Sequence, residues 1–557
     1  MNKMSKLIVK NGFVFDPINN IEGEKKDILI DDGKIVDKFS SSNEIKEIDA
    51  KGKTVVPAAV EIHAHIASQQ LNWVRLLGSD NKDFHNLWNG LTLNTIAKNY
   101  ISNGYTFILE ANVFPSLTKQ TIFDLQRLPV VDKAFLLNPS NFWPLELEYQ
   151  KELVEDGSVF LSDLLEKVKG FGFKAYNPFE AEYWNWKVVR KNLTEKGRLF
   201  NFTPMDVYEK LPKFVEHLGL PHSIHAHIEG YESQTSEENL IPTLNKVKSL
   251  GLKPNPKSDL EIKRSQIFHL AHGSSYNIGG DNSELIKFYN ENQDFDMDLG
   301  FIGFNTLNPL VSSDRHLINK LINSTNPYQL IRSSVESEGD SFATLRKFSK
   351  MNKEDCIMWT NAIDLGLNIN PWQLQFSVNY PNYADILNLP EISSWLISNK
   401  ARKQFMNNME ASFLKDNPII SNSKTLTFND LIIITRSSPA KSLGIGSIKG
   451  NLGLGADGDL NILNLDLNDT DISKDYENIK SALSNIDYVI KAGEVIKNRE
   501  EFNLNSSGKI FWASGKPEKE DTKSILARKE DFYQKYSSNF YNSFNINISK
   551  KKLKKIV

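Results

Sequence analysis

Apolar and polar positions alternate with a period near two through the first 57 residues. The stretches 7–16, 27–39 and 53–57 read as strands, and the Asn11-Gly12 and Asp32-Gly33 pairs that separate apolar runs favour tight hairpin turns. The same texture returns at 460–466 and 488–496. Neither piece is large enough to bury a core alone, so the two ends of the chain are expected to build one composite β-sandwich. Between them, short continuous apolar runs at 58–66, 105–111, 172–177, 222–228, 266–272 and 374–379 alternate with helical patterns, among them 162–170, 203–219, 283–293 and 391–409. Repeated βα units over some 350 residues predict a parallel sheet covered by helices, and at this length a (β/α)8 TIM-like barrel. The expected organisation is an α/β barrel over 58–416, a β-sandwich from 1–57 and 417–505, and a C-terminal extension, 506–557, packed on the outside or on a partner.

Composition narrows the class without choosing a function. The chain has 557 residues, 40% hydrophobic and 24% charged, which gives ample material for a large core. Lys+Arg 66 against Asp+Glu 69 leaves a net charge of -3, which argues against a nucleic-acid or membrane-surface partner; the one basic run, 550–555, reads as a solvated tail. Cys356 is the single cysteine, so an internal disulfide and a cysteine-ligated cluster are excluded. The N-terminus lacks the apolar core of a signal peptide and no segment has the length of a membrane span, so a cytoplasmic protein is expected.

Histidines collect at strand ends. His63 and His65 close one run, His222, His225 and His227 another, and His269 and His272 a third. Residues two apart in a strand share a face, so each such pair can reach one metal ion, and imidazole nitrogen suits zinc and its neighbours. A barrel brings the C-terminal ends of its strands to one mouth. His225 and His227 face the same way, so the spacing alone does not choose the ligand between them.

These segments carry a family resemblance. VVPAAVEIHAHI (55–66) resembles the amidohydrolase signature of the first barrel strand, with Ala58 and Glu61 in place of its Gly and Asp. GFKAYNP places Lys174 where many amidohydrolases carry a lysine carboxylated by carbon dioxide, and SIHAH and HLAHGSS resemble the fifth- and sixth-strand histidine segments. ITRSSPAKSLG (434–444) with KGNLGLGADGDLNIL (449–463) resembles the stretch that leaves the barrel for the sandwich. Further segments, including LNWVRLLGSDN with Arg75, NGYTFILEANVFP, LGLPHSIHAH and INPWQLQFSVNYPN, are similar to the A subunit of formylmethanofuran dehydrogenase and of the bacterial formyltransferase/hydrolase complex.

That resemblance implies a protein that converts N-formylmethanofuran, or a methylofuran analogue, to formate and the free amine, in company with the other subunits of such a complex. It implies two zinc or other divalent ions bridged by carboxylated Lys174 and held by His63, His65, His225 and His272; it favours His225 over His227. The bound ions would activate a water, and an aspartate ending strand eight would move its proton. Here the family's T-T-D-H-P-N reads Ser377-Val378-Asn379-Tyr380-Pro381-Asn382, so Asn379 stands at the catalytic position. The family's C-N-N-L-G after the strand-five histidines is likewise replaced by 228–234. An amide is no general base. A degenerate paralogue in a structural role within the complex therefore stands beside the hydrolase, and a cyclic amidase of the dihydroorotase kind is the third reading. FEAEYWNWK (179–187) could line a pocket or belong to the core, and His222 is expected to pack beside its strand.

Overall fold

The computed structural model describes residues 6–41, 44–68, 71–72, 91–142, 145, 154–198, 201–304, 306–324, 331–335, 339–467, 472, 475–517, 522–536 and 541–557; Arg75 and most of 71–81 lie outside them. The alternating N-terminal segment forms strands β1 (Lys6–Asp16), β2 (Ile21–Asp31), β3 (Lys34–Val36), β4 (Ile45–Asp49) and β5 (Thr54–Pro57). Asp32 and Gly33 both take positive φ and turn β2 back into β3, as the sequence predicts. Asn11-Gly12 does not make a hairpin. It is a bulge inside one continuous strand, where β1 passes from pairing with β4 to pairing with β5. The close approach of β5 explains the glycine: a Cβ on Gly12 would lie 2.5 Å from Val55 Cγ2.

The barrel follows: β6 (Ala59–Ala64), β7 (Tyr105–Val113), β8 (Asp132–Leu137), β9 (Gly172–Tyr176), β10 (Ile224–His227), β11 (Phe268–Leu270) and β12 (Phe295–Asp298). A three-stranded insertion comes next, β13 (Leu307–Ser312), β14 (Ile331–Val335) and β15 (Gly339–Lys347), and then the eighth barrel strand, β16 (Leu374–Gln375). Each barrel strand runs parallel to the next. Beyond the end of β16, a parallel bridge between Ala64 and Tyr380 and the His65 N–H to Tyr380 carbonyl bond, 2.6 Å, nearly close the ring. Burial on both faces accounts for the near-continuous apolar character of these strands. Val60 and Ile62, three and one positions before His63, point to the opposite face and cluster with Phe107, Leu109, Ala440, Leu443 and Phe511.

The sequence reading found six of the eight barrel strands and passed over β8 and β12, the latter because Asp296 and Asp298 interrupt its apolar run. The helical pattern over 391–409 divides into Leu389–Ile397 and Asn399–Met406, with the Ser398 side chain capping the second helix at the Ala401 N–H.

Strands β17 (Leu460–Leu463), β18 (Tyr488–Lys491), β19 (Glu494–Asn498) and β20 (Glu501–Phe502) extend the N-terminal sheet, with β17 antiparallel to β5, so the N-terminal segment and 460–502 share one nine-stranded sheet. Beyond it, β21 (Ile510–Trp512) adds to β8 at the Ile510–Lys133 pair, β22 (Leu553–Lys555) adds to β21, and the helix Thr522–Tyr536 packs on the helix Val154–Val168. Among the described residues, no helix is long and apolar enough to cross a membrane.

Candidate active site at the barrel mouth

The strand register assembles the candidate residues in two levels. His225 lies beside Lys174 on one side and beside His269 on the other, while His227 lies one step nearer the mouth beside Tyr176. His63, His65, Lys174, His227, His272 and Asn379 all line one pocket, and His225 lies beneath it. The sequence left His225 and His227 equivalent; in the structure they differ in depth.

The deeper level is a network with fixed proton positions. The Ser442 carbonyl can only accept, so His222 Nδ1 donates to it at 2.9 Å. His222 Nε2 is then the acceptor for His225 Nδ1–H at 3.2 Å, which leaves a lone pair on His225 Nε2. That nitrogen is 3.1 Å from His63 Nδ1, which is itself 3.1 Å from Asp298 Oδ2. The third side of this triangle, His225 Nε2 to Asp298 Oδ2, is 3.9 Å. His222 thus packs beside its strand as expected and, through these bonds, sets the tautomer of His225.

Asp298 has further partners. Ser377 Oγ donates to Oδ1, and His269 Nε2 lies 3.2 Å from Oδ2 while its Nδ1 lies 3.0 Å from Asp296. Burial alone would raise Asp298, but His63 and His269 outweigh it and hold the carboxyl well below the usual range. Burial would likewise lower His269; Asp296 and Asp298 reverse this and raise it to about 9. Burial and the nearby Lys174 lower His63 to about 3, and burial holds His225, His227 and His272 well below the ordinary imidazole value. These four rings are therefore neutral, as metal-binding imidazoles must be.

Nearer the mouth, Glu110 on β7 accepts the N–H groups of Ile66 (2.7 Å) and Ala67 (2.8 Å) and pairs with His65 Nδ1 at 3.2 Å, leaving His65 Nε2 as the free acceptor. His272 sits at φ 34, in the left-handed region, with Nδ1 on Ser275 Oγ at 2.7 Å. Gly300 makes room for it, since a Cβ there would approach His272 Cβ to 2.4 Å. His227 Nε2 and His272 Nε2 are buried and make no hydrogen bond with the described residues. An unpaired buried polar atom costs about 1–3 kcal/mol, so two such nitrogens in one pocket mark a place for a ligand. Lys174 completes the set; burial, opposed by Asp298 and Glu110, lowers its amine to about 7. Neutral imidazoles, a carboxylate and a readily deprotonated amine form a donor set that fits a divalent transition metal.

Asn379, at φ 42, lines the same pocket, and its Oδ1 accepts from Asn382 Nδ2 at 3.1 Å. The insertion supplies one wall through Leu310, Val311, Ser312, Ser313 and Ser341. It is anchored by Trp184 Nε1 on the Ser313 carbonyl (2.8 Å) and by the Val311 N–H on Asn382 Oδ1 (2.9 Å). Glu180, Glu182, Trp184 and Trp186 do not line this pocket, and Trp184 acts from behind as a support for its wall. Sequence reasoning missed Asp298 and Glu110. The available signal was a charged residue inside an otherwise apolar barrel strand, two positions from another in the case of Asp298.

A nearly closed parallel barrel thus carries histidines at the ends of strands one, five and six and a lysine on strand four, the arrangement that the amidohydrolase resemblance implies. A profile described as the Amidohydrolase family matches residues 381–497. Protein FwdA of Methanocaldococcus jannaschii is 29% identical over 514 residues, covering 88% of this chain and 87% of that one. The A subunit of the formyltransferase/hydrolase complex Fhc of Methylorubrum extorquens is 22% identical, covering 88% and 89%. The crystal structure of that complex, FhcABCD with methylofuran, contains a chain that superposes with a TM-score of 0.85 at 20% identity, over 99% of both chains. Over most of its length the chain is thus similar to FwdA and to the A subunit of the Fhc complex, and part of it matches the Amidohydrolase family profile.

Proposed function

We propose that this chain is a metal-dependent subunit that hydrolyses the formamide C–N bond of N-formylmethanofuran or a methylofuran analogue, working with other subunits of a formyltransferase/hydrolase complex. The observation that carries this reading is the convergence of His63, His65, Lys174, His227 and His272 on one pocket, two of them with unpaired buried nitrogens. The formyltransferase/hydrolase name of one relative and the methylofuran bound in the crystal structure of its complex point to the substrate class. Those five residues, with His225 beneath, would hold the metal, and carboxylation of the Lys174 amine would let it bridge two ions. Bound divalent ions supply a Lewis acid for the formyl oxygen and lower the pKa of water. The chain's own contribution is orientation: Glu110 fixes His65, and the Ser442–His222 pair fixes His225. The insertion then closes one side of the pocket against solvent.

Metal content is the first test. The purified chain, kept in bicarbonate, is expected to carry stoichiometric zinc by plasma mass spectrometry and to release formate from N-formyl furfurylamine compounds; metal-free, inactive protein would refute the reading. His222→Phe removes the hydrogen bond that fixes His225 and is expected to weaken metal binding by about 10–100-fold with the fold intact, as read by competition with a chelator. A second reading, a degenerate protein with a structural role in the complex, is favoured by one feature: residue 379 is an amide already engaged by Asn382. Complex assembly without formate release would support it.

A further inference from the structure

We propose that Asp298, at the end of the seventh barrel strand, is a metal ligand of this chain and supplies the carboxylate that residue 379 does not. The inference rests on the metal-dependent reading above and assigns a donor to it. His63 Nδ1, His225 Nε2 and Asp298 Oδ2 stand 3.1, 3.1 and 3.9 Å apart, and all three side chains are buried. Zinc bonds of about 2.0–2.2 Å at tetrahedral angles place neighbouring ligand atoms roughly 3.4 Å apart, so the triangle has the span of three ligands around one cation.

Each donor is also held in the right form. The Ser442–His222 chain leaves the lone pair of His225 on Nε2, facing the other two atoms. Ser377 donates to Asp298 Oδ1, which keeps Oδ2 directed at the histidines. His63 presents Nδ1 to both partners, and a cation would take the place of the proton shared there. Oδ2 also lies 3.2 Å from His269 Nε2, and as a charged carboxylate oxygen it can hold a cation beside that hydrogen bond, whereas Asn379 offers only a neutral amide oxygen that accepts from Asn382. Because Asp298 lies below the pocket and does not line it, its part is to hold the ion, not to carry protons to substrate.

Two experiments on the full-length chain test this. Zinc-loaded wild-type crystals should show an anomalous peak about 2.0–2.2 Å from Asp298 Oδ2. Asp298→Asn, checked for folding by circular dichroism, should bind cobalt(II) at least about 10-fold more weakly than wild type in a spectroscopic titration. A peak held only by His65, Lys174, His227 and His272, with Asp298 out of reach, overturns the proposal while leaving the metal-dependent reading intact. A folded Asp298→Asn variant with wild-type affinity does the same. Wild-type protein that takes up no cation overturns both. Should the variant not fold, the wild-type crystal decides.

Discussion

Asn379→Asp is expected to raise formate release from an N-formyl furfurylamine substrate by about 10²–10⁴-fold, the usual contribution of a positioned acid–base group. Asn379 lines the pocket with His65, His227 and His272, so a carboxylate there would face the reacting atoms. The change is close to isosteric. One aspartate oxygen can keep the 3.1 Å contact with Asn382 Nδ2, which leaves the other for the proton that the wild-type amide cannot accept. Asp298 does not fill that role, since it lies beneath the pocket with both oxygens engaged. Steady-state formate release from metal-loaded protein is the measurement. A folded, metal-loaded variant with the wild-type rate would show that the pocket walls, Leu310–Ser313 and Ser341 among them, limit turnover rather than the missing base.

The second large effect lies away from the mouth. Lys449 is buried and its ammonium reaches Asp132 at 2.7 Å, Asp457 at 2.9 Å and Asp459 at 2.6 Å. Lys34 and Lys554 add to Asp457, and Lys491 to Asp132. One cation thus joins the barrel strand β8 to the segment that leads into the sheet, with the C-terminal strand β22 alongside. Lys449→Met keeps the volume but leaves the buried Asp132 and Asp459 and the half-buried Asp457 short of their partner, and should cost about 3–5 kcal/mol at pH 7, read from urea unfolding.

The pH dependence carries a definite sign. Burial would raise Asp132 and Asp457, but Lys449 and the neighbouring lysines prevail and hold both below the usual carboxylate range. Their stabilisation is complete above the unfolded value of about 3.9 and is lost as pH falls through the depressed folded values. Lys449, raised by the aspartates against its burial, contributes up to at least about pH 10.4, its unfolded value. In Lys449→Met the crowded carboxylates favour protonation instead, so the variant gains as pH falls. The stability gap between wild type and variant should therefore narrow between pH 7 and pH 4; a constant gap would mean that lost packing, not charge, is responsible.

The sequence by itself determined the kinds of element and the faces they present. Period-two alternation marked the sheet strands, buried apolar runs marked six barrel strands, and the spacing of His63 with His65 and of His225 with His227 put each pair on one face, because a strand alternates its side chains whatever lies beside it. The resemblance of the histidine segments and Lys174 to the amidohydrolase pattern placed them at one mouth. Tertiary structure decided what depends on neighbours. The register of β10 against β9 and β11 put His225 below the pocket and His227 in it, a difference of depth that two residues of one strand cannot encode locally. Asn11-Gly12 became a bulge rather than a turn because β1 changes partner there, and β5 packs against the glycine. Asp298 interrupts an apolar run and reads locally as a reason against a strand. Only the closing of the barrel brings it within 3.1 Å of His63, 235 residues away, where two histidines offset the burial of its charge.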